Sequence, residues 1–173
     1  MTDLTPAFIQ PHRKGEKLMT VFGKPASAYV EFSKAVALLV LLVGFSRLVL
    51  SLSGTPNSTT RWLTMNGVLL IGVIYLSIRV HTTGFGSYKQ LLAAIAIPTT
   101  MLHAIAIMGI VIGIITGHDN VFTTPEYAFG GDGKTLLHAG AHLVIGVPVP
   151  TLINWLLGSL FLFITKKVVR RTA

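Results

Sequence analysis

Four apolar runs, each nineteen to thirty residues long, occupy most of this chain, and its charges lie almost entirely between them. The runs cover about Ala35–Ser53, Trp62–Val80, Leu91–Thr116 and Leu136–Thr165. At 1.5 Å per residue, a helix of about nineteen residues nearly crosses the ~30 Å hydrocarbon layer of a bilayer. A backbone immersed in lipid must satisfy its own N–H and C=O groups, so such runs become helices. The sequence predicts an all-α integral membrane protein: a four-transmembrane-helix bundle over 35–165 with short loops. A cytoplasmic tail with a possible interfacial helix, 1–34, precedes it, and a basic cytoplasmic tail, 166–173, follows.

Composition supports the same reading. Only 12% of the residues are charged and 51% are hydrophobic, with mean hydropathy +0.69; a soluble domain carries roughly 25% charge. The chain has no cysteine, which excludes disulfides, iron–sulfur clusters, thiolate zinc sites and a cysteine nucleophile. The long polar stretch before the first run, with no small-residue cleavage pattern after it, does not read as a cleavable signal. After Pro25, "ASAYVEFSK" can continue as helix into the first run.

The net charge of +8 is distributed as a topology signal. Arg13, Lys14, Lys17, Lys24, Lys34, Arg79, Lys89, Lys166, Lys167, Arg170 and Arg171 fall on one side of a four-span arrangement, against Arg61 and Lys134 on the other. Lys and Arg mark cytoplasmic loops, so both termini are expected in the cytoplasm of a bacterial inner membrane. No aromatic platform or basic motif supports nucleic-acid binding.

"GGDGKTLLHAGAH", 130–142, holds the end of a phosphate-binding loop, but the first glycine that such a loop requires falls at Ala128. No nucleotide is therefore expected, and Thr135 is read as the cap of the fourth helix. His138 and His142, four apart, share one helix face. With His118 and Asp119 they make a candidate metal set of imidazole and carboxylate. His103, His138, His142 and Arg47 are the candidate cofactor-binding residues, haem being the sharpest version. At 1.5 Å per residue, His103 and His142 are expected to differ in depth by about 10 Å, too much for one haem. Arg47, inside the first run, either snorkels or meets Asp119, a cofactor carboxylate or a lipid phosphate.

Gly109, Gly113 and Gly117 leave one face of the third run bare, as a seam for another helix. Gly72 lies outside any such row, so Gly113→Leu is expected to disrupt packing far more than Gly72→Leu. Pro98, Pro148 and Pro150 should kink or unwind their helices, and Asn66 and Asn154 read as interhelical hydrogen-bonding residues. No base–nucleophile pair is evident, and none of the six acidic residues lies inside a run. The function expected is a non-catalytic accessory or scaffold subunit of a larger, energy-transducing membrane complex. The bilayer, other membrane subunits or a second copy would be its partners. The alternative is a haem- or metal-binding anchor with histidine ligands, and a weaker one a small membrane enzyme or channel.

Overall fold

The computed structural model describes residues 20–128 and 130–169; the "HRKGEK" patch and Arg170 and Arg171 lie outside them. A two-residue ladder, β1 (Thr20–Val21) against β2 (Lys24–Pro25), precedes the helices. Then follow α1 (Ala26–Leu52), α2 (Asn57–Thr60), α3 (Met65–Thr82), α4 (Tyr88–Thr116), α5 (Leu136–Ala141) and α6 (Pro148–Val168). Four helical stretches are long and apolar enough to cross a membrane: Ala26–Leu52, Asn57–Thr82, Tyr88–Thr116 and Leu136–Val168. They pack together as a bundle, so the chain is an all-α protein of membrane-spanning helices.

Local chemistry sets the helix ends. α1 starts directly after Pro25, so residues 26–34 are its first turns rather than part of a separate tail. Ser87 and Gln90 form a reciprocal capping box at the start of α4, and the Gln90 amide also donates to the Phe22 carbonyl (3.0 Å), tying the small ladder to the helix. α4 ends at Gly117 in the left-handed conformation (φ 72°). The beginning of α1, the end of α3, the beginning of α4 and the end of α6 share one end of the bundle, here the terminal end. There Arg79 donates to the Phe32 carbonyl, Lys166 to Ser87 Oγ, and His81 Nε2 pairs with the Val169 carbonyl (2.9 Å). The opposite, loop end carries α2 and residues 117–135.

α4 is the central element. Half of its most apolar window is buried, against 17% for the fourth stretch. It packs on α1, α6 and α3, with Leu91, Ile95 and Ile110 fully enclosed. Because lipid tails solvate apolar side chains as well as protein does, close backbone approach drives such packing. One such approach is at Gly72, where a Cβ would run into Val36 of α1. Gly72 is thus itself a helix–helix contact, at odds with the expectation that Gly113→Leu disrupts packing far more than Gly72→Leu.

Pro98 does not break α4. Its missing N–H leaves the Ala94 carbonyl, four residues earlier, without a helical donor. Ser33 of α1, fully buried, donates its hydroxyl to that carbonyl at 2.8 Å. The proline defect in one helix is therefore satisfied by its neighbour, and this cross-bond fixes the register of α1 on α4. Replacing Ser33 by Ala should cost about 1–3 kcal/mol, the penalty of a buried unsatisfied carbonyl. In a Pro98→Ala background the helix regains its own donor, and the same replacement should cost much less. A double-mutant cycle of thermal or denaturant unfolding in detergent checks this; equal costs in both backgrounds would remove the compensation.

Candidate functional site

The loop end owes its shape to residues 117–123, which turn back along α4 instead of leaving the bundle. Asn120 Nδ2 donates to the Gly109 carbonyl (2.7 Å), eight residues before Gly117 and so about 12 Å down the helix axis. The Asn120 Oδ1 accepts from the Phe122 N–H (3.0 Å), and the Val121 N–H donates to Ser51 Oγ of α1 (2.8 Å). Asn120, Val121, Phe122 and Thr123 are all buried. A Cβ on Gly109 would strike the Phe122 ring, and one on Gly113 would lie 2.7 Å from the Thr123 methyl. The bare face of α4 therefore receives the chain's own loop rather than another helix. Gly117 packs against nothing and serves as the helix terminator.

This inward fold lowers the starting point of the fourth membrane stretch. Gly133 backs directly onto the Thr123 backbone, where no side chain would fit. Thr135 Oγ1 then caps α5 by accepting from the His138 N–H (3.1 Å). A π-helical turn, His142–Gly146, links α5 to α6 ahead of Pro148 and Pro150, whose missing N–H groups disfavour ordinary α-helical bonding there. As a result His142 meets His103: their Nδ1 atoms lie 2.9 Å apart. The expected 10 Å difference in depth is thus corrected, because it assumed that the fourth helix begins at the level where the third ends.

Three imidazoles form a chain, with ring centroids 5.2 Å apart for His103–His142 and 5.0 Å for His138–His142. His138 Nδ1 lies 2.9 Å from the Gly133 carbonyl, which can only accept, so Nδ1 holds the proton. Its Nε2 is buried without a partner among the described residues. In the His103–His142 pair one Nδ1 must donate and the other accept, so at least one of these rings is neutral.

Arg47 stands beside them. It is 7% exposed, and its Nη2 donates to Asn57 Oδ1 (2.7 Å) and to the Tyr127 hydroxyl oxygen (3.0 Å), while its Nε is buried without a partner. The pairing with Asp119 is corrected here: the guanidinium is held by neutral groups, Asn57 and Tyr127, at the loop end. Asp119 instead binds Lys134. That hydrogen bond and the ammonium charge hold the Asp119 carboxyl below its usual range and raise Lys134. The tie is thus present above the ordinary aspartate range and lost as pH falls through the lowered value. A cavity of about 240 Å³ lies against Arg47, Asn66, Tyr127, His103 and His142, with apolar walls including Met65 and Phe122. A neighbouring one of about 190 Å³ shares His103, Tyr127 and His142 and adds His138. Tyr127 and Asn57 were not singled out from sequence; both sit in turn-forming stretches with no period that aims a side chain inward.

Neither sequence-based cofactor expectation fits this arrangement. Two imidazole nitrogens ligating one ion from opposite sides stand about 4 Å apart, given metal–imidazole bonds of about 2.0–2.1 Å. His103 and His142 are closer than that and bonded to each other, which leaves no gap for a porphyrin. His118 is exposed, Asp119 is engaged with Lys134, and among the described residues no three of His, Asp or Glu converge to hold a metal ion. Asn66 is exposed at the cavity mouth and Asn154 half-buried, and neither makes a side-chain hydrogen bond among the described residues.

No family model matches the chain, and neither a curated protein nor a solved structure is significantly similar to it.

Because the loop packs directly on Gly109 and Gly113 of α4, Gly113→Leu should lift the loop, while Gly72→Leu should instead separate α1 from α3. The chain has no cysteine, so a single Thr123→Cys reports the difference. Maleimide labelling of that buried position should rise sharply with Gly113→Leu and change little with Gly72→Leu. Equal labelling in the two would show that the α4 glycines do not seat the loop.

Proposed function

We propose that this chain is a non-catalytic membrane subunit whose loop-end chamber holds a small ligand bearing anionic oxygen atoms, as an accessory part of a larger membrane assembly. Arg47 carries the reading. A guanidinium stays charged at any physiological pH, and a buried charge without a counter-ion costs several kcal/mol. Among the described residues the ion pairs join Lys34 to Glu31 and Lys134 to Asp119 and Asp132, and none involves Arg47. Asn57 and Tyr127 offer dipoles but no charge. A carboxylate or phosphate in the adjoining cavity would supply the missing negative charge, with an imidazole N–H of the histidine chain as a second donor. The cavity volumes are below the ~300–1,000 Å³ of sites for drug-sized ligands, so the ligand or headgroup is a small one. Nothing in the chamber pairs a nucleophile with a base, and the role proposed is binding.

The accessory part of the reading rests on α6. Its stretch is the least buried of the four, and Asn154 stands half-buried on it with no side-chain hydrogen bond among the described residues. An intramembrane amide gains about 0.6–2 kcal/mol from a hydrogen bond across a helix interface, which a neighbouring subunit would provide. The distribution of Lys and Arg favours a bacterial inner membrane with the terminal end in the cytoplasm.

Two measurements test these proposals. Thermal unfolding in a non-ionic detergent, with and without millimolar benzoate or inorganic phosphate, should show a shift of several degrees with one of the anions. Each kcal/mol of binding is worth about 2–4 °C for a chain of this size. Arg47→Gln should abolish the shift and Arg47→Lys retain part of it; no shift in the native protein, together with no co-purifying anion by native mass spectrometry, removes the chamber as an anion site. For orientation, Glu126→Cys should react with membrane-impermeant maleimide in intact spheroplasts and Lys167→Cys only after lysis. The reverse pattern would invert the protein.

A further inference from the structure

Where α1 and α3 part on either side of the Gly72–Val36 contact, they leave a continuous furrow that the loop-end chamber does not explain. Its apolar part, about 330 Å³, runs between Val36 and Leu39 of α1 and Val68, Ile71 and Gly72 of α3. Its polar part, about 610 Å³, lies at the terminal end beside Lys34, Phe32, Arg79 and Thr83. Ala35 and Tyr75 line both parts, so the two are one feature. From Val68 to Arg79 is eleven residues of helix, about 16 Å, or half of a ~30 Å hydrocarbon layer. The furrow thus reaches from headgroup level to mid-bilayer, the span of one leaflet.

Its polar end is set up for an anion. The Arg79 guanidinium is stacked over Phe32 (4.7 Å) and Tyr75 (5.4 Å), and its Nη1 donates to the Phe32 carbonyl (3.3 Å) and the Tyr75 hydroxyl oxygen (3.2 Å). These contacts hold the group flat at the mouth of the furrow and supply no negative charge. Glu31, on the same rim, is bound to Lys34. Lys24, over the neighbouring Phe85 ring (4.7 Å), adds a further positive charge. Two aromatic faces beneath one guanidinium restrict its rotamers, so a ligand pays little to order it.

We infer that the α1–α3 furrow is a binding site for an anionic phospholipid of the leaflet at the terminal end. One acyl chain lies along Leu39, Ile71 and Gly72, and the phosphate is met by Arg79, with Lys34 and Thr83 beside it. Apolar contact supplies the chain's place and charge complementarity selects the headgroup. General attraction of a basic membrane face for anionic lipid would treat every Lys and Arg at this end alike; the furrow does not.

Native mass spectrometry of the full chain, released from vesicles containing equal phosphatidylglycerol and phosphatidylcholine of matched acyl chains, tests this. The native protein should retain one phosphatidylglycerol in at least tenfold preference. Arg79→Gln should lose that preference while still retaining lipid, whereas Lys89→Gln, an exposed basic position at the same end but outside the furrow, should keep it. Ala35→Trp places an indole at an exposed, furrow-lining position, where folding is not at stake, and should reduce retention of both lipids. Equal effects of Arg79→Gln and Lys89→Gln, full retention by Ala35→Trp, or no retained lipid in the native protein would each overturn the assignment.

Discussion

Two glycines on the loop-end half of α4 let a polar loop fold back where a helix would otherwise be expected. The bond from Asn120 to the Gly109 carbonyl anchors that loop, and its neighbours Phe122 and Thr123 fill the bare helix face. In lipid, a polar backbone segment survives only if its own groups are satisfied inside protein. Asn120 meets this requirement with both side-chain atoms, and Ser51 and Thr123 take the exposed N–H groups of Val121 and Asn120. Everything at the loop end follows from that accommodation: Gly133 can press on Thr123, α5 starts low, and His142 arrives beside His103. Loosening the loop would therefore disperse the histidine chain without touching any of its members.

Proline acts at two places in the bundle with opposite results. In α4 the carbonyl orphaned by Pro98 finds the Ser33 hydroxyl on the adjacent helix, and the helix remains regular. At the start of α6, Pro148 and Pro150 follow a π-helical turn, His142–Gly146, where ordinary α-helical bonding gives way. That turn lets the long fourth stretch enter at the depth of His103 and still end on the terminal face beside α3, where His81 meets Val169. The excess length of this run is thus taken up by its low, irregular entry.

What was legible in the sequence is what lipid enforces: the four apolar stretches, the helical start after Pro25 and the Thr135 cap follow from hydropathy and local backbone chemistry. What was not legible depends on where a polar loop goes. Gly109 and Gly113 read as a helix seam because small residues four apart serve helices most often, yet nothing in that spacing distinguishes a helix from a loop as the occupant. Gly72 looked unremarkable because a single glycine at a helix crossing has no pattern. The pairing of His103 with His142 was hidden by counting depth from helix ends, and the loop broke that count. Tyr127 and Asn57 were hidden for a related reason: they meet Arg47 through turns that carry no period.

The distribution of charge gives the molecule its chemical character. Lys134 and Lys34 find carboxylates at the two surfaces, where water already weakens such pairs. Arg47 and Arg79 find only neutral oxygen atoms and aromatic faces among the described residues. A carboxylate placed next to either would have closed its donor set within the chain. With neutral partners each guanidinium is fixed in direction without being neutralised, and the Nε of Arg47 is buried with no partner among the described residues. Both arginines border cavities: the one at Arg47 combines Met65, Leu102 and Phe122 with Asn66, His103 and His142, and the one at Arg79 combines Phe32, Ala35 and Phe85 with Glu31, Lys34 and Thr83. On the two proposals made above, a guanidinium fixed by neutral partners at each end of the bundle would meet a ligand that pairs an anionic oxygen with an apolar body. Such molecules reach this protein most readily by way of the bilayer itself.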